Sequence, residues 1–434
     1  MPAFVFPGQG SQRPGMGRPW RDHPSWDVVS DAGSIAGRDV AHLLLDAGEH
    51  ELTETRNAQL ATFVMGLVVL DAVERLGIEP TACAGHSLGE YAALVAAGAV
   101  GFEDAVRLVN ERGEAMQEAA EENQGVMVAL SGVDDESARI ACRRADGDVW
   151  LANSNAPGEC VVAGRPEETA RAVAIATQMG ARRSQQLHVG GAFHTPLMAS
   201  AQPRLRKALE ATTFYPLAVP VVANVDGMAH EDADEWAGLL SAQLRSPVRW
   251  RQSVLQLGAI MRTGEWDGDH LFCELGPGGP LSGLVRATLP QAVTMAISEP
   301  DDLTSLIARM TGVVQVVDEV GPSAHQGERL YLSERVIISP CAGIFEPPEA
   351  PNAGTTNAGT TNAGALNAGA LNAGAPSLTS DPSGHPQAVA IGDLVGRVSG
   401  AEVRSPFAGE LMGMLAHPGE RVQAGQPIAW LRSN

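Results

Sequence analysis

Apolar positions recur in two rhythms that alternate through roughly the first 300 residues of the chain. Short apolar runs flanked by Gly, Pro or polar residues read as strands: Ala82–Ala84, Val126–Leu130, Val149–Ala152, Cys160–Ala163, Val221–Val225 and Leu271–Leu275. Longer stretches of helix formers lie between them. Ala61–Leu76 ends at Gly77, Glu90–Ala97 contains no proline and ends at Gly98, and Asp135–Arg144 and Pro166–Met179 separate the middle strands. This alternation predicts an α/β fold, with a small β-α-β-type insertion that builds its own sheet between about 125 and 189.

The pattern changes past residue 330. Five pentapeptides that each begin Asn-Ala-Gly, at Asn352, Asn357, Asn362, Asn367 and Asn372, lack aromatic or charged anchors and read as a tether. Around them runs a quieter repeat. Val336–Ile344 matches Ala401–Leu411, and Ile391–Val395 echoes Val422–Ile428. Two such half-units of short strands predict a pseudo-symmetric β-sandwich whose first half contains the tract.

Composition narrows the function classes. At 434 residues the chain has room for two or three cores, and no uninterrupted apolar run approaches a membrane span. No basic segment leading into a long apolar run opens the sequence, so a cytoplasmic protein is expected. A net charge of −21 argues against nucleic-acid binding. Cys83, Cys142, Cys160, Cys273 and Cys341 show no C-x-x-C spacing, which predicts neither a disulfide framework nor a zinc site. All basic side chains but one are arginine, and Lys207 is the single lysine.

The strongest chemical signal is Gly85-His86-Ser87-Leu88-Gly89, where the Ala82–Ala84 strand should turn sharply into the following helix. Glycines two positions either side of Ser87 let backbone approach backbone, so the hydroxyl projects at a helix N-terminus suited to a developing oxyanion. A glycine-rich chain produces this pattern by chance, and the surrounding helix, strand and helix are what give it weight. Serine needs a base. Of eleven histidines, His194, in a Gly- and Pro-containing loop, is best placed by local chemistry, although a lone loop histidine is commonly structural. His86 stands too near Ser87 in the chain to serve it.

Several ordered motifs together resemble the malonyl-CoA:acyl carrier protein transacylase family, including the discrete acyltransferases that serve polyketide synthases without built-in ones. The motifs are Phe6–Gln12, Gln59, Gly85–Gly89, Arg112 in Asn110–Gly113, Asn153–Gly158, Ala192–His194, Gln243 in Gln243–Val248 and Glu274–Gly278. The resemblance implies an α/β-hydrolase-like core over residues 1–305 with a ferredoxin-like subdomain inserted at about 125–189. It implies that Ser87 attacks malonyl-CoA while His194 takes the proton, and that the backbone N–H groups of Gln9 and Leu88 hold the oxyanion. His194 would be oriented by a backbone carbonyl at the Gln243 position. Gln59, His86, Asn153, Asn155 and Phe193 would line the substrate pocket.

By itself Arg112 reads as a helix-surface arginine paired with a neighbouring glutamate. The resemblance gives it the free carboxylate of malonate, which its fork matches and a lysine could not. Related hydrolases that clear stalled acyl groups from carrier proteins lack that arginine and are the alternative on the same Ser/His pair. Phe193 beside His194 leaves little room for a 2-methyl branch, so malonyl is expected over methylmalonyl, by about 1–3 kcal/mol. The acceptor would be the phosphopantetheine thiol of an acidic acyl carrier protein, docked on a basic face for which Arg182, Arg183, Arg204, Arg206 and Lys207 are candidates; a solvated helix face explains them equally well.

Residues 331–434, after a linker at 306–330, resemble a biotinyl/lipoyl carrier domain interrupted at about 348–385. The likeness lies in the Ser-Pro-x-x-Gly turns and the Gly419–Ile428 ending. The hairpin that should carry the modified lysine instead runs Val398-Ser399-Gly400-Ala401-Glu402. With Lys207 elsewhere, no biotin or lipoate can be attached, and a docking role toward an acyl-CoA carboxylase or polyketide synthase component is expected.

Overall fold

A computed structural model describes residues 2–263 and 270–311, and in the C-terminal part 334–338, 343–346, 387–389, 394–405, 409–416, 421–422 and 427–432. The Asn-Ala-Gly tract, most of the expected linker and the Ser339-Pro340 turn lie outside them. The chain divides into two compact units, one of residues 1–74 and 78–315, the other drawn chiefly from Val316–Asn434.

In the first unit a six-stranded sheet is built from β1 (Ala3–Phe6), β2 (Ala82–Gly85), β7 (Val221–Val222), β8 (Ala229–His230), β9 (Leu271–Leu275) and β10 (Val293–Ile297). Its order is β10-β9-β1-β2-β7-β8, parallel except for β8. Every residue of β1, β2 and β9 is buried, as expected of parallel strands covered on both faces. The helix Thr55–Glu74 begins six residues before the expected Ala61, because Asn57 and Gln59 are buried and hydrogen-bonded rather than solvated. By length and composition it could cross a membrane, although polar residues interrupt its apolar run. It is nonetheless a core helix, packed against Phe102–Glu122 and 89% buried over its most apolar stretch. The last described helix, Pro300–Thr311, carries the unit past residue 305.

Inserted between β2 and β7 are β3 (Val126–Ser131), β4 (Val149–Ala156), β5 (Glu159–Gly164) and β6 (Arg183–Gln186). They form an antiparallel sheet of order β4-β5-β3-β6, with the helices Asp135–Ala145 and Pro166–Gln178 in the two crossovers. This is the β-α-β-β-α-β connectivity of a ferredoxin-like unit. Val128 and Leu130, Val149 and Leu151, and Cys160 and Val162, each two residues apart, share one face, where Ala138, Ala141, Ala172 and Ala176 of the helices close the core.

The second unit contains two four-stranded antiparallel sheets. Its strands are β11 (Glu334–Ile338), β12 (Gly343–Glu346), β13 (Gln387–Val389), β14 (Leu394–Val398), β15 (Ala401–Arg404), β16 (Gly409–Met414), β17 (Arg421–Val422) and β18 (Pro427–Arg432). One sheet runs β11-β18-β16-β13 and the other β15-β14-β12-β17. Advancing each strand by four positions, cyclically, turns the first order into the second, so the two half-repeats seen in sequence are also halves of the topology. Ile337, Phe345, Val398, Val403, Val422 and Ile428 belong to the buried cluster of this unit.

Candidate active site

Strand β2 ends at Gly85 and the nucleophile helix begins at Gly89. Between them Ser87 has φ +52°, a left-handed conformation that costs a non-glycine residue energy. The flanking glycines make that turn possible. A Cβ on Gly85 would overlap the Gly89 carbonyl, and one on Gly89 would overlap the carbonyl of Phe6 at the end of β1. Gly8 likewise lies against the His86 carbonyl, bringing the Gln9 backbone beside the elbow. Among the described residues, no acceptor takes the backbone N–H of Gln9 or Leu88, which leaves two donors for an oxygen on the substrate.

Ser87 Oγ lies 2.7 Å from His194 Nε2. His194 also has a left-handed backbone, φ +61°, and its Nδ1 is 3.0 Å from the main-chain oxygen of Gln243. A carbonyl can only accept, so Nδ1 carries the proton and Nε2 is left free to receive one from Ser87. Burial, with lesser help from the positive charge of Arg112 and from His86, pushes the His194 pKa down to about 3. The imidazole is therefore neutral and ready as a base.

Arg112, on the helix Phe102–Glu122, is 1% exposed. Its Nη1 donates to Gln59 Oε1 at 2.6 Å, and its Nη2 donates to Gln243 Oε1 at 2.9 Å and to Ser87 Oγ at 3.2 Å. The guanidinium lies 5.2 Å from the Tyr91 ring centre. Among the described residues no carboxylate forms an ion pair with it, so the surface reading of Arg112 gives way to a buried, unpaired cation next to the nucleophile. Among the described residues its Nε has no hydrogen-bond partner. Such a charge is costly unless an anion answers it.

Gln243 links the whole arrangement. Besides orienting His194 and holding Arg112, its Nε2 donates to Ser87 O at 2.9 Å and to Glu90 Oε2 at 2.5 Å. Elsewhere in the site, His86 Nε2 is 3.1 Å from Asn155 Oδ1, Asn153 and Phe193 are buried, and among the described residues Asn153 Oδ1 has no hydrogen-bond partner. Among the described residues no group of three or more His, Cys, Asp or Glu could hold a metal ion.

A nucleophile elbow with a neutral imidazole base is the machinery of acyl transfer through a serine ester. Residues 3–291 match the model of the acyl transferase domain family. The chain belongs to that family. It is 37% identical over 306 residues to the malonyl CoA-acyl carrier protein transacylase of Bacillus subtilis strain 168, covering 69% of this chain and 94% of the relative. Among solved structures, the acyl carrier protein S-malonyltransferase of Vibrio cholerae superposes with a TM-score of 0.66 at 35% identity, over 70% of this chain and 99% of that one. A malonyl-transacylase solved in complex with its type II polyketide synthase acyl carrier protein superposes with a TM-score of 0.66 at 34% identity, over 71% and 99%.

Two residues of this acyltransferase site were missed by sequence reasoning. Asn224, in the turn after β7, accepts the Ser87 backbone N–H on Oδ1 at 2.6 Å and donates from Nδ2 to Gly85 O at 2.7 Å, pinning both sides of the elbow. Glu90 accepts the Asn224 N–H at 2.6 Å, and burial pushes its pKa up to about 8. A carboxylate in an otherwise apolar, alanine-rich helix was a usable signal for Glu90. Asn224 sits in an ordinary turn sequence and gave none.

The five basic docking candidates fall in two places. Arg182 and Arg183 are exposed at the edge strand β6, where Arg183 donates to Gln185. Arg206 and Lys207 are exposed on the helix Gln202–Glu210. Arg204, on the same helix, is already committed: it pairs with Glu111 at 2.8 Å and Glu118 at 2.7 Å, and so braces that helix against Phe102–Glu122.

Proposed function

We propose that this acyltransferase moves a malonyl group from malonyl-CoA to the phosphopantetheine thiol of an acyl carrier protein through a malonyl ester of Ser87. The observation that carries this reading is the buried cation of Arg112, without a carboxylate partner among the described residues, 3.2 Å from Ser87 Oγ.

In the first half-reaction Ser87 Oγ attacks the thioester carbonyl as its proton passes to His194 Nε2. The N–H groups of Gln9 and Leu88 take the oxyanion, and His194 returns the proton to the departing coenzyme thiolate. Arg112 grips the distal carboxylate with its paired donors, exchanging amide oxygens for a charged partner. In the second half-reaction His194 deprotonates the carrier thiol, which attacks the ester and frees Ser87. Gln59, His86, Asn153, Asn155 and Phe193 shape the acyl pocket, with Phe193 disfavouring a 2-methyl branch. The Bacillus relative's name and the complex of a malonyl-transacylase with its carrier protein support donor and acceptor alike. The described cysteines are buried and free, in keeping with a reducing cytoplasm.

For the second unit we propose a degenerate biotinyl/lipoyl-like module at about 331–434, joined by a linker that starts after the helix Pro300–Thr311 rather than at 306. The four-strand symmetry of its sheets supports this. So does the hairpin between its halves, where Ser399 at φ +47° and Gly400 at φ +85° make a tight two-residue turn. Lacking lysine, the module carries no biotin or lipoate and docks an acyl-CoA carboxylase or polyketide synthase component.

Incubation with labelled malonyl-CoA tests the assignment. Label that waits on the enzyme and passes to holo carrier protein supports transfer; prompt release of free malonate, with none reaching the carrier, would make the protein a hydrolase.

A further inference from the structure

Glu90 lies in the first turn of the nucleophile helix with no exposed surface. Among the described residues the other buried acidic side chain is Glu274, which caps a helix: its oxygens accept the N–H groups of Leu281 at 3.0 Å and Ser282 at 2.7 Å. Glu90 joins two different partners. One oxygen accepts the Asn224 backbone N–H at 2.6 Å, and the other accepts Gln243 Nε2 at 2.5 Å. The first donor is fixed by the main chain, whereas the second belongs to an amide that can turn end for end. As it stands, Gln243 presents Nε2 to Glu90 and Oε1 to Arg112 Nη2, 2.9 Å away. Turned over, it would set an NH2 group against the guanidinium, donor against donor.

Only a side chain with two acceptors can meet both donors. A carboxyl group offers two in either protonation state, and an amide of the same shape offers one. We propose that Glu90 is a positioning residue for malonyl loading: by accepting Gln243 Nε2 it keeps Gln243 Oε1 on Arg112 and so holds the guanidinium in place beside Ser87. The proposal rests on the transfer reading above, in which Arg112 takes the distal carboxylate. In Glu90→Gln the one remaining oxygen stays with the Asn224 N–H, which cannot turn. The new NH2 then faces Gln243, whose amide turns over, and Arg112 loses an acceptor and meets a donor. The elbow suffers less, because Asn224 stays bonded and Ser87 O still accepts the Glu90 backbone N–H at 3.2 Å.

The test measures loading of the full-length protein by labelled malonyl-CoA and acetyl-CoA. It compares wild type, Glu90→Gln, Glu90→Asp, Arg112→Ala and the double variant Glu90→Gln/Arg112→Ala. Glu90→Gln should lower kcat/KM by about tenfold or more for malonyl and by at most about threefold for acetyl. Glu90→Asp fills the space less well but keeps both acceptors, so it should retain more of the malonyl-to-acetyl ratio than the isosteric Gln. With Arg112 already replaced by Ala, Glu90→Gln should cost malonyl loading at most about threefold more, because the residue through which Glu90 acts is gone. Equal loss on the two donors, a ratio kept by Gln and lost by Asp, or the full tenfold loss without Arg112 overturns the proposal. Residual acetyl loading shows that a variant folds. If Glu90→Gln does not fold, Glu90→Asp is read alone: a greater loss for malonyl than for acetyl supports the role, and an equal loss overturns it. If wild-type protein forms no malonyl ester from malonyl-CoA, it is the transfer reading that fails.

Discussion

Asn224 Oδ1 accepts the backbone N–H of Ser87 at 2.6 Å, fixing the main chain of the nucleophile from a turn 137 residues away. The same side chain donates to Gly85 O, so the left-handed Ser87 backbone is clamped on both sides. Without the clamp, a buried N–H loses its acceptor at a cost of about 1–3 kcal/mol. Asn224→Ala should therefore lower the acylation kcat by about ten- to a hundredfold with little change in KM. Asn224→Asp, which keeps the acceptor and loses only the donor to Gly85, should retain more activity than Asn224→Ala. Stopped-flow acylation separates the two, and equal damage in both would place the importance of Asn224 elsewhere.

Arg112 should govern which acyl groups are loaded. Truncating one partner of a buried, hydrogen-bonded charge pair costs about 2–5 kcal/mol, so Arg112→Ala should reduce malonyl loading by about thirty- to several-thousandfold. Acetyl loading, which has no carboxylate to lose, should hold or rise. Arg112→Lys should not restore malonyl selectivity, because an ammonium cannot supply the fork. Competition between labelled malonyl-CoA and acetyl-CoA reads the ratio directly.

The pH profile follows from the burial of His194. A group with its pKa depressed to about 3 keeps its base form as pH falls through 6.5, where an ordinary imidazole would be half protonated. Acylation kcat/KM, which reports the free enzyme, should stay level as pH drops from about 8 to about 5, with the acid limb lying lower still. A half-loss centred near the ordinary histidine value would show that the cleft is wetter than its geometry implies.

Phe193 is 5% exposed and immediately precedes His194. Phe193→Ala should raise methylmalonyl loading relative to malonyl by about tenfold, the scale expected for accommodating one methyl group. No change in the ratio would move the discrimination to another wall of the pocket.

Much of this site was legible because its residues obey local rules. Gly85 and Gly89 announce a turn in which two backbones touch, and the strand, helix and Gly98 around them agree. The inserted subdomain was legible for a similar reason, since its short apolar runs are separated by the helical stretches Asp135–Arg144 and Pro166–Met179. What stayed hidden depends on distant partners. Asn57 and Gln59 look like loop residues until Glu51 and Arg112 satisfy them inside a core helix. The Gln243 side chain touches Ser87, Glu90 and Arg112, while the resemblance gave its position only the carbonyl that orients His194. Val221–Val225 was read three residues too long, because β7 stops at Val222 and Asn224 leaves the ladder to serve the elbow. Arg204, read as free for docking, proved to be tied across a helix interface by two glutamates that its own segment does not contain.

The most direct measurement is a peptide map of the enzyme after a brief exposure to malonyl-CoA, repeated after holo carrier protein is added. The account predicts one malonyl group, on the peptide containing Ser87, that disappears as malonyl-carrier protein forms, and none in Ser87→Ala. An adduct on another residue, or transfer that proceeds undiminished in Ser87→Ala, would contradict it.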